Sequence, residues 1–337
     1  MSQALPRCWY GDCRGLWRFL VCLLLPLSWL FRGLVSLRLA LYRAGMFKTE
    51  RLPVPVVVVG NLTAGGSGKT PLTLTLVQWL RQAGYHPGVV SRGYGGQART
   101  PLPVAADSDP ALAGDEPVLI ARRSGCPVWV GRDRSAAGRQ LLARHPEVDV
   151  ILTDDGLQHY GLARDLEIVV VDGARGFGNG RLLPAGPLRE PVSRLARATA
   201  LVVNGHGRHP PGPPAFAMTL RGGAFVNLAR PDRTETAGYF RGRRVHALAG
   251  IGHPERFFRT LAELGLEASV HAFPDHHAFS PGDLPAGTLV MTEKDAVKCA
   301  AFAPADAWFL AVDAEVEGGL KTLLLNELKK RNGSQAA

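Results

Sequence analysis

The chain has no C-x-x-C pair, and its five cysteines (Cys8, Cys13, Cys22, Cys126 and Cys299) are odd in number and irregular in spacing. This argues against a disulfide framework or a thiolate zinc site and points to a reducing compartment. The N-terminal region lacks an uncharged run of spanning length. Its "FLVCLLLPLSWLF", Phe19 to Phe31, has thirteen residues between Arg18 and Arg32, whereas a spanning helix needs about 20. No small-residue cleavage site follows, which excludes a signal peptide. There is no nucleic-acid module and no Arg/Lys–aromatic platform, so nucleic acid is not expected as a partner. A GTPase switch is missing as well: no D-x-x-G follows the acidic strand end at Asp154. "TEKD" (292–295) carries its lysine one position later than the guanine-reading N/T-K-x-D.

What is present suits two ordinary domains: 337 residues, 46% hydrophobic and 20% charged. The net charge is +10, and residues 1–51 hold eight Lys or Arg against two acids. Beyond Pro26, Leu30, Leu34, Leu37, Leu41 and Ala44 recur at 4-3-4-3 spacing, one apolar stripe on a helix. A basic helix with such a stripe suits an anionic membrane surface. The plainer alternative is a helix packed on the protein's own core. The uncharged run beside the stripe favours membrane association, either spanning or lying in the interface.

"VPVVVVG" (54–60) has the β-branched character of a strand buried on both faces. "NLTAGGSGKT" follows, then a run with Leu72, Leu76 and Leu80 on one helical face and Gly84 as a stop signal. Strand, glycine-rich loop, Lys-Thr and helix form the context of a phosphate-binding loop. Thr63 stands where the general pattern has its first glycine, and Ala64 follows. Gly65, Gly66 and Gly68, with Ser67 between, let backbone N–H groups turn toward phosphate oxygens. Lys69 neutralises the β and γ phosphates, and the Thr70 hydroxyl is a ligand for Mg²⁺. A nucleotide's phosphates and Mg²⁺ are the expected ligands of this loop.

Further strands are expected at 87–91, 127–131, 148–155, 166–173 and 199–205, separated by helical stretches. That alternation implies a P-loop-type α/β fold with a doubly wound, mostly parallel sheet and ligands at the carboxyl ends of its strands. "GHGRHPPGPP" reads as a linker. The expected organisation is a membrane-associated helical segment (1–51), a P-loop core (52–205), a linker (206–214) and a smaller α/β domain (215–337). The last has strands near 245–250, 266–273, 288–292 and 308–313 and a helix from Pro254.

Asp154 and Asp155 end an apolar strand, where a carboxylate can hold Mg²⁺ or simply cap a turn. Asp115 is expected to cap the helix that begins at "GDEP", next to Glu116. In "PDHH", adjacent side chains point to opposite sides, so Asp275, His276 and His277 are not read as a shared metal site. A single histidine beside a carboxylate would make a general base. Arg92, Arg181, Arg189 and Glu190 lie in glycine-rich loops at strand ends, where arginines can grip an anionic group.

Taken in order, "VPVVVVGNLTAGGSGKTP", "SRGYGG", "AGDEPVLI", "TDDGLQHY", "FGNGRLLPAGPLREP", "AGIGHPERFF" and "MTEKDAVKC" resemble the tetraacyldisaccharide 4'-kinases of bacterial lipid A assembly. The threonine at the loop's start is also that family's form, T-x-G-G-x-G-K-T. The resemblance implies ATP- and Mg²⁺-dependent phosphorylation of the 4'-hydroxyl of a tetraacylated disaccharide 1-phosphate, giving lipid IVA, at the cytoplasmic face of the inner membrane. It implies no obligate protein partner. It pairs Asp115 with His276 to activate the acceptor hydroxyl and assigns Glu116, Asp154 and Asp155 to metal and nucleotide, with Gln158 close by. Arg92, Arg134, Arg189 and Glu190 fall around the phosphates. Two rivals are a nucleotide-gated membrane protein that transfers no phosphate and a P-loop kinase for another membrane amphiphile.

Overall fold

The computed structural model describes residues 8–11, 15–207, 209 and 211–335; Cys13 lies outside them. Its centre is β1 (Val56–Gly60), buried along its whole length. Val57 and Val59 face one hydrophobic layer and Val56 and Val58 the other, the period-two alternation of a strand covered on both faces. β1 pairs in parallel with β5 (Val150–Thr153) and β6 (Leu166–Asp172). On one side β2 (Pro87–Ser91) and β4 (Val128–Val130) follow, closed by the short antiparallel edge strand β3 (Leu102–Val104). On the other side lie β7 (Ala200–Asn204) and β8 (Ala215–Asn227).

The sheet does not end at the proline-rich stretch expected to be a linker. β8 runs parallel to β7 and antiparallel to β13 (Ala307–Val316). Then come β12 (Thr288–Thr292), β10 (Val245–Ala249) and the edge strand β11 (Ala268–Ala272), all parallel to β13, with the short β9 (Thr234–Glu235) attached to β8. β8 was not expected from the sequence. Gly222 and Gly223 interrupt it, and its half-polar pattern matches the half-exposed face it presents.

Across the β8–β13 junction the strand direction reverses, so in a flat sheet the carboxyl ends of the two halves would lie at opposite edges. Here they meet. The pairing register slips between Leu310 and Val312, opposite the Gly222–Gly223 pair, and such a bulge increases local twist. The halves close enough that a side chain at Gly252 would meet the Gly66 amide at 3.4 Å.

Nine helices are described: α1 (Leu16–Leu23), α2 (Leu25–Arg43), α3 (Lys69–Gln82), α4 (Pro110–Ala113), α5 (Asp115–Ser124), α6 (Arg134–Arg144), α7 (Pro254–Glu263), α8 (Glu293–Cys299) and α9 (Gly319–Gln335). The last returns to the first half, where Leu320, Leu324 and Leu328 join Leu72, Leu76 and Leu80 of α3 in one core.

The N-terminal stripe does not pack on this core. Leu30, Leu34 and Leu37 are 61%, 56% and 56% exposed, and Phe19, Leu23, Leu27 and Trp29 extend the exposed apolar surface. Among the described residues no helix is long and apolar enough to cross a membrane. The spanning alternative is therefore not supported. The cysteine expectation also needs one correction, because Cys8 is disulfide-bonded, whereas Cys22, Cys126 and Cys299 are free.

Candidate functional site

Between the two halves lies a cleft of about 500 Å³, walled by residues 64–71, Asp155 and Arg189 from the first half and by Gly252, Arg256, His276 and Lys294 from the second. Its floor is the turn after β1. Gly65 and Gly68 adopt φ of 104° and 93°, a region where a side chain is strained. Gly68 has a second reason to be glycine: a Cβ there would sit 2.6 Å from Asn204 Nδ2, the amide that donates to the Ser67 carbonyl at 3.0 Å. Thr63 is buried and bridges to Leu188, while the Ala64 amide donates to the Pro187 carbonyl at 2.8 Å. A neighbouring loop thus holds the segment that a first glycine would otherwise shape. Ser67 Oγ is buried without a hydrogen-bond partner, a donor left over for an anion's oxygen.

α3 begins at Lys69, and Lys69 Nζ lies 3.5 Å from Asp155 Oδ1. Asp155 has φ of 50°, which turns its carboxylate toward Lys69 and toward Arg189, 3.1 Å away. Burial alone would raise the Asp155 pKa, but Lys69 and Arg189 outweigh it and bring it down to about 2. Asp154 points the other way. It is fully buried and accepts from Thr70 Oγ1 at 3.2 Å and Thr73 Oγ1 at 3.3 Å. Burial, then the charge of Glu116, holds Asp154 well above the usual carboxylate range.

Across the cleft the structure brings together two residues 161 positions apart: His276 Nδ1 donates to Asp115 Oδ1 and Oδ2 at 3.2 and 3.1 Å. Asp115 does not cap its helix. Gly114 is the N-cap at φ 93°, and Asp115 is the first residue of α5, with its carboxylate turned to the histidine. Burial pushes the Asp115 pKa up, yet the His276 hydrogen bond and the Lys294 charge leave it lowered. His276 has a positive φ of 57°, a conformation that costs a non-glycine residue about 1–3 kcal/mol. Tyr94, from the loop after β2, covers its ring at 4.7 Å. His277 points elsewhere, stacked on Phe273 at 4.8 Å with its Nε2 3.4 Å from Asp283; the turn at Asp275–His276 rather than an extended backbone separates the two rings.

Four residues expected around the phosphates are engaged differently. Glu190 is 3% exposed and accepts from the Tyr160 hydroxyl at 2.8 Å, beside Arg194 at 3.3 Å. Arg134, 5% exposed, donates to the Asp155 carbonyl at 2.7 Å and so braces the acidic strand end from behind. Gln158 donates to the Asn61 carbonyl at 3.1 Å, supporting the start of the glycine-rich loop. Arg92 is exposed and does not line the cleft. Arg134, Gln158 and Glu190 thus have their hydrogen-bond partners in the scaffold around the cleft. Glu190 belongs to a buried cluster in which Arg194 serves both Glu167 and Glu190. Removing the cation leaves two buried carboxylates short of charge. Arg194→Ala should therefore lower the unfolding free energy by roughly 3 kcal/mol, read from urea denaturation; a midpoint equal to the wild type would refute this.

Lys294 was noted only as the lysine of the guanine-like "TEKD", and no site role was expected for Arg256 or Asn204. All three lie just beyond or at the ends of strands that face the cleft, and strand-end position was the one available signal. Arg256 Nη2 donates to Asn204 Oδ1 at 2.9 Å, joining α7 to β7 beside the glycine-rich loop. Leu74, Leu220, Phe257, Leu310 and Val312 form an apolar wall of the same cleft.

Comparison with known proteins is consistent along nearly the whole chain. The family described as Tetraacyldisaccharide-1-P 4'-kinase matches residues 20–329. A tetraacyldisaccharide 4'-kinase from Chromobacterium violaceum is 56% identical over 336 residues, 96% of this chain and 98% of that protein. One from Pseudomonas aeruginosa is 49% identical over 317 residues, 93% of each. Among solved structures, LpxK from Aquifex aeolicus in complex with ATP superposes with a TM-score of 0.78 at 31% identity, covering 92% of this chain and 99% of that one.

Proposed function

The chain belongs to the tetraacyldisaccharide-1-phosphate 4'-kinase family, and from that premise we infer that it transfers the γ-phosphoryl group of ATP to the 4'-hydroxyl of a tetraacyldisaccharide 1-phosphate in lipid A biosynthesis. The observation that carries the inference is one cleft containing both a phosphate loop and, facing it, a histidine–carboxylate pair. Phosphoryl transfer asks the protein for positioning and charge more than for covalent chemistry.

In this mechanism residues 63–70 hold the triphosphate, and Lys69 and Arg189 neutralise charge that builds on its oxygens. Asp115 orients His276 through Nδ1. His276 Nε2 takes the proton of the 4'-hydroxyl as that oxygen bonds to the γ-phosphorus, and the bond to the β–γ bridging oxygen breaks, releasing ADP. Thr70 and Glu116, both in the cleft wall, offer only oxygen donors, which suits a hard cation such as Mg²⁺, and Asp154 holds the Thr70 hydroxyl from behind. No group of three or more acidic, histidine or cysteine ligands is found among the described residues. Held there, Mg²⁺ would offset charge on the phosphates. Asp155 is occupied by Lys69 and Arg189, so it is assigned to orienting them.

The acceptor's acyl chains remain in a bilayer, and the exposed stripe of α2 with its basic neighbours would bring the cleft to it. We assign the protein to the cytoplasmic face of the inner membrane, lying in the interface. A Leu30→Asp, Leu34→Asp, Leu37→Asp variant should lose most of its co-sedimentation with anionic vesicles yet still phosphorylate substrate in detergent micelles. Undiminished vesicle binding would count against the interfacial role.

The direct test of the activity is transfer of label from ATP, in the presence of Mg²⁺, to tetraacyldisaccharide 1-phosphate by purified protein. Labelled lipid supports the assignment. ATP hydrolysis indifferent to the lipid would favour a nucleotide switch instead.

A further inference from the structure

Lys294 follows the first residue of α8, directly after β12, and its side chain is 16% exposed within the cleft. Its Nζ lies 3.2 Å from Glu116 Oε1, 3.3 Å from Asp275 Oδ1, 3.9 Å from Asp115 Oδ2 and 3.3 Å from His276 Nε2. Three carboxylates fix the ammonium where it stands. An ammonium has only donors. Against it, Nε2 must be the accepting nitrogen of the ring, which leaves the proton on Nδ1, facing Asp115. The lone pair that would take a proton from an attacking oxygen is therefore already engaged.

We propose that Lys294 holds His276 idle until the lipid acceptor arrives, and so restrains transfer of phosphate from ATP to water. A general base acts only on a proton within hydrogen-bond reach, and Lys294 Nζ occupies that position. A single water has little to offer in exchange for the ammonium's contact. A sugar anchored in the cleft brings its hydroxyl to Nε2 with many contacts behind it. The long, flexible lysine stem then lets Nζ swing aside while Glu116 and Asp275 keep hold of it. In the side reaction, a water oxygen would bond to the γ-phosphorus, the bond to the β–γ bridging oxygen would break, and His276 Nε2 would accept the water's proton. Lys294 is thus a positioning residue for the base, and the inference rests on His276 being that base.

The test uses the full chain in detergent with ATP and Mg²⁺. ADP release is measured without lipid, and labelled product with tetraacyldisaccharide 1-phosphate, for Lys294→Met, Lys294→Arg, His276→Ala and the Lys294→Met, His276→Ala double variant. Lys294→Met should raise lipid-free ADP release roughly ten-fold, a fraction of what a positioned base contributes. Lys294→Arg, which keeps the charge, should not raise it, and the double variant should lose the rise. Lipid-free release that stays flat or falls in a Lys294→Met protein with a wild-type melting temperature overturns the proposal. If that variant does not fold, ¹⁵N imidazole NMR of the wild type decides. The Nε2 resonance should shift when lipid and a non-hydrolysable ATP analogue are added together, and an unmoved resonance overturns the proposal. The two readings fail separately. Full transfer by His276→Ala removes the base itself, whereas an inactive His276→Ala beside a silent Lys294→Met removes only the restraint.

Discussion

His276→Ala should lower the rate of phosphoryl transfer to the lipid about 10²–10⁴-fold, the range a positioned general base contributes, and leave ATP affinity nearly unchanged. Asp115→Ala should fall almost as far. The carboxylate is the partner of His276 Nδ1 at 3.1 Å; without it the ring loses both its orientation and the tautomer that presents a lone pair at Nε2. The two act as one unit, so the double variant should be scarcely slower than either single one. Asp115 is 4% exposed, and its loss leaves Lys294 and Lys298 with less opposing charge, so a melting curve must accompany the kinetics. Steady-state transfer together with nucleotide titration makes the check. Wild-type turnover in both single variants would remove the pair from the mechanism.

Lys69→Ala should differ in kind, losing both turnover and nucleotide binding. Among the described residues lining the cleft, its Nζ is the lysine charge on the side of the glycine-rich loop, 3.5 Å from Asp155, where the proposed mechanism places the γ-phosphate. Removing a single preorganised donor of this sort typically costs about 10²–10³ in rate. Arg189 still neutralises Asp155 in the variant, so the fold should survive and the melting temperature should change little. Lys69→Arg should not restore activity, because a planar guanidinium does not reproduce a compact point charge. Transfer within ten-fold of the wild type for Lys69→Ala would mean that the loop does not hold the reacting phosphate.

Much of the site could be read along the chain because its parts are local. The run Val56 to Thr70 carries strand, turn and helix start in consecutive residues, and each has its own chemical signature. The strands at 87–91 and 288–292 were expected with the bounds the structure gives them, since strands covered on both faces appear as short apolar runs. β8 was missed for the opposite reason. It is half exposed, interrupted by two glycines, and pairs with a strand some eighty residues later.

The roles of individual polar side chains were less legible. Arg134, Gln158 and Glu190 lie in the right segments, but whether a side chain faces the cleft or the scaffold depends on partners distant in sequence. Lys294 sits in a tetrapeptide that first suggests guanine recognition and only in three dimensions reaches Glu116, Asp275 and His276. The apolar stripe of α2 was plain from its spacing, yet only packing could show that nothing in the described protein covers it.

The sequence by itself determined the glycine-rich loop between strand and helix, the alternation of strands and helices and the family, because these are written in contiguous residues and short-range periodicity. Tertiary structure alone decided that β8 and β13 join two oppositely directed sets of strands into one sheet, and that their twist brings both carboxyl edges to a single cleft. It also decided which polar groups face that cleft. The pairing of Asp115 with His276 shows why: 161 residues separate them, and only closure of the chain on itself makes them neighbours.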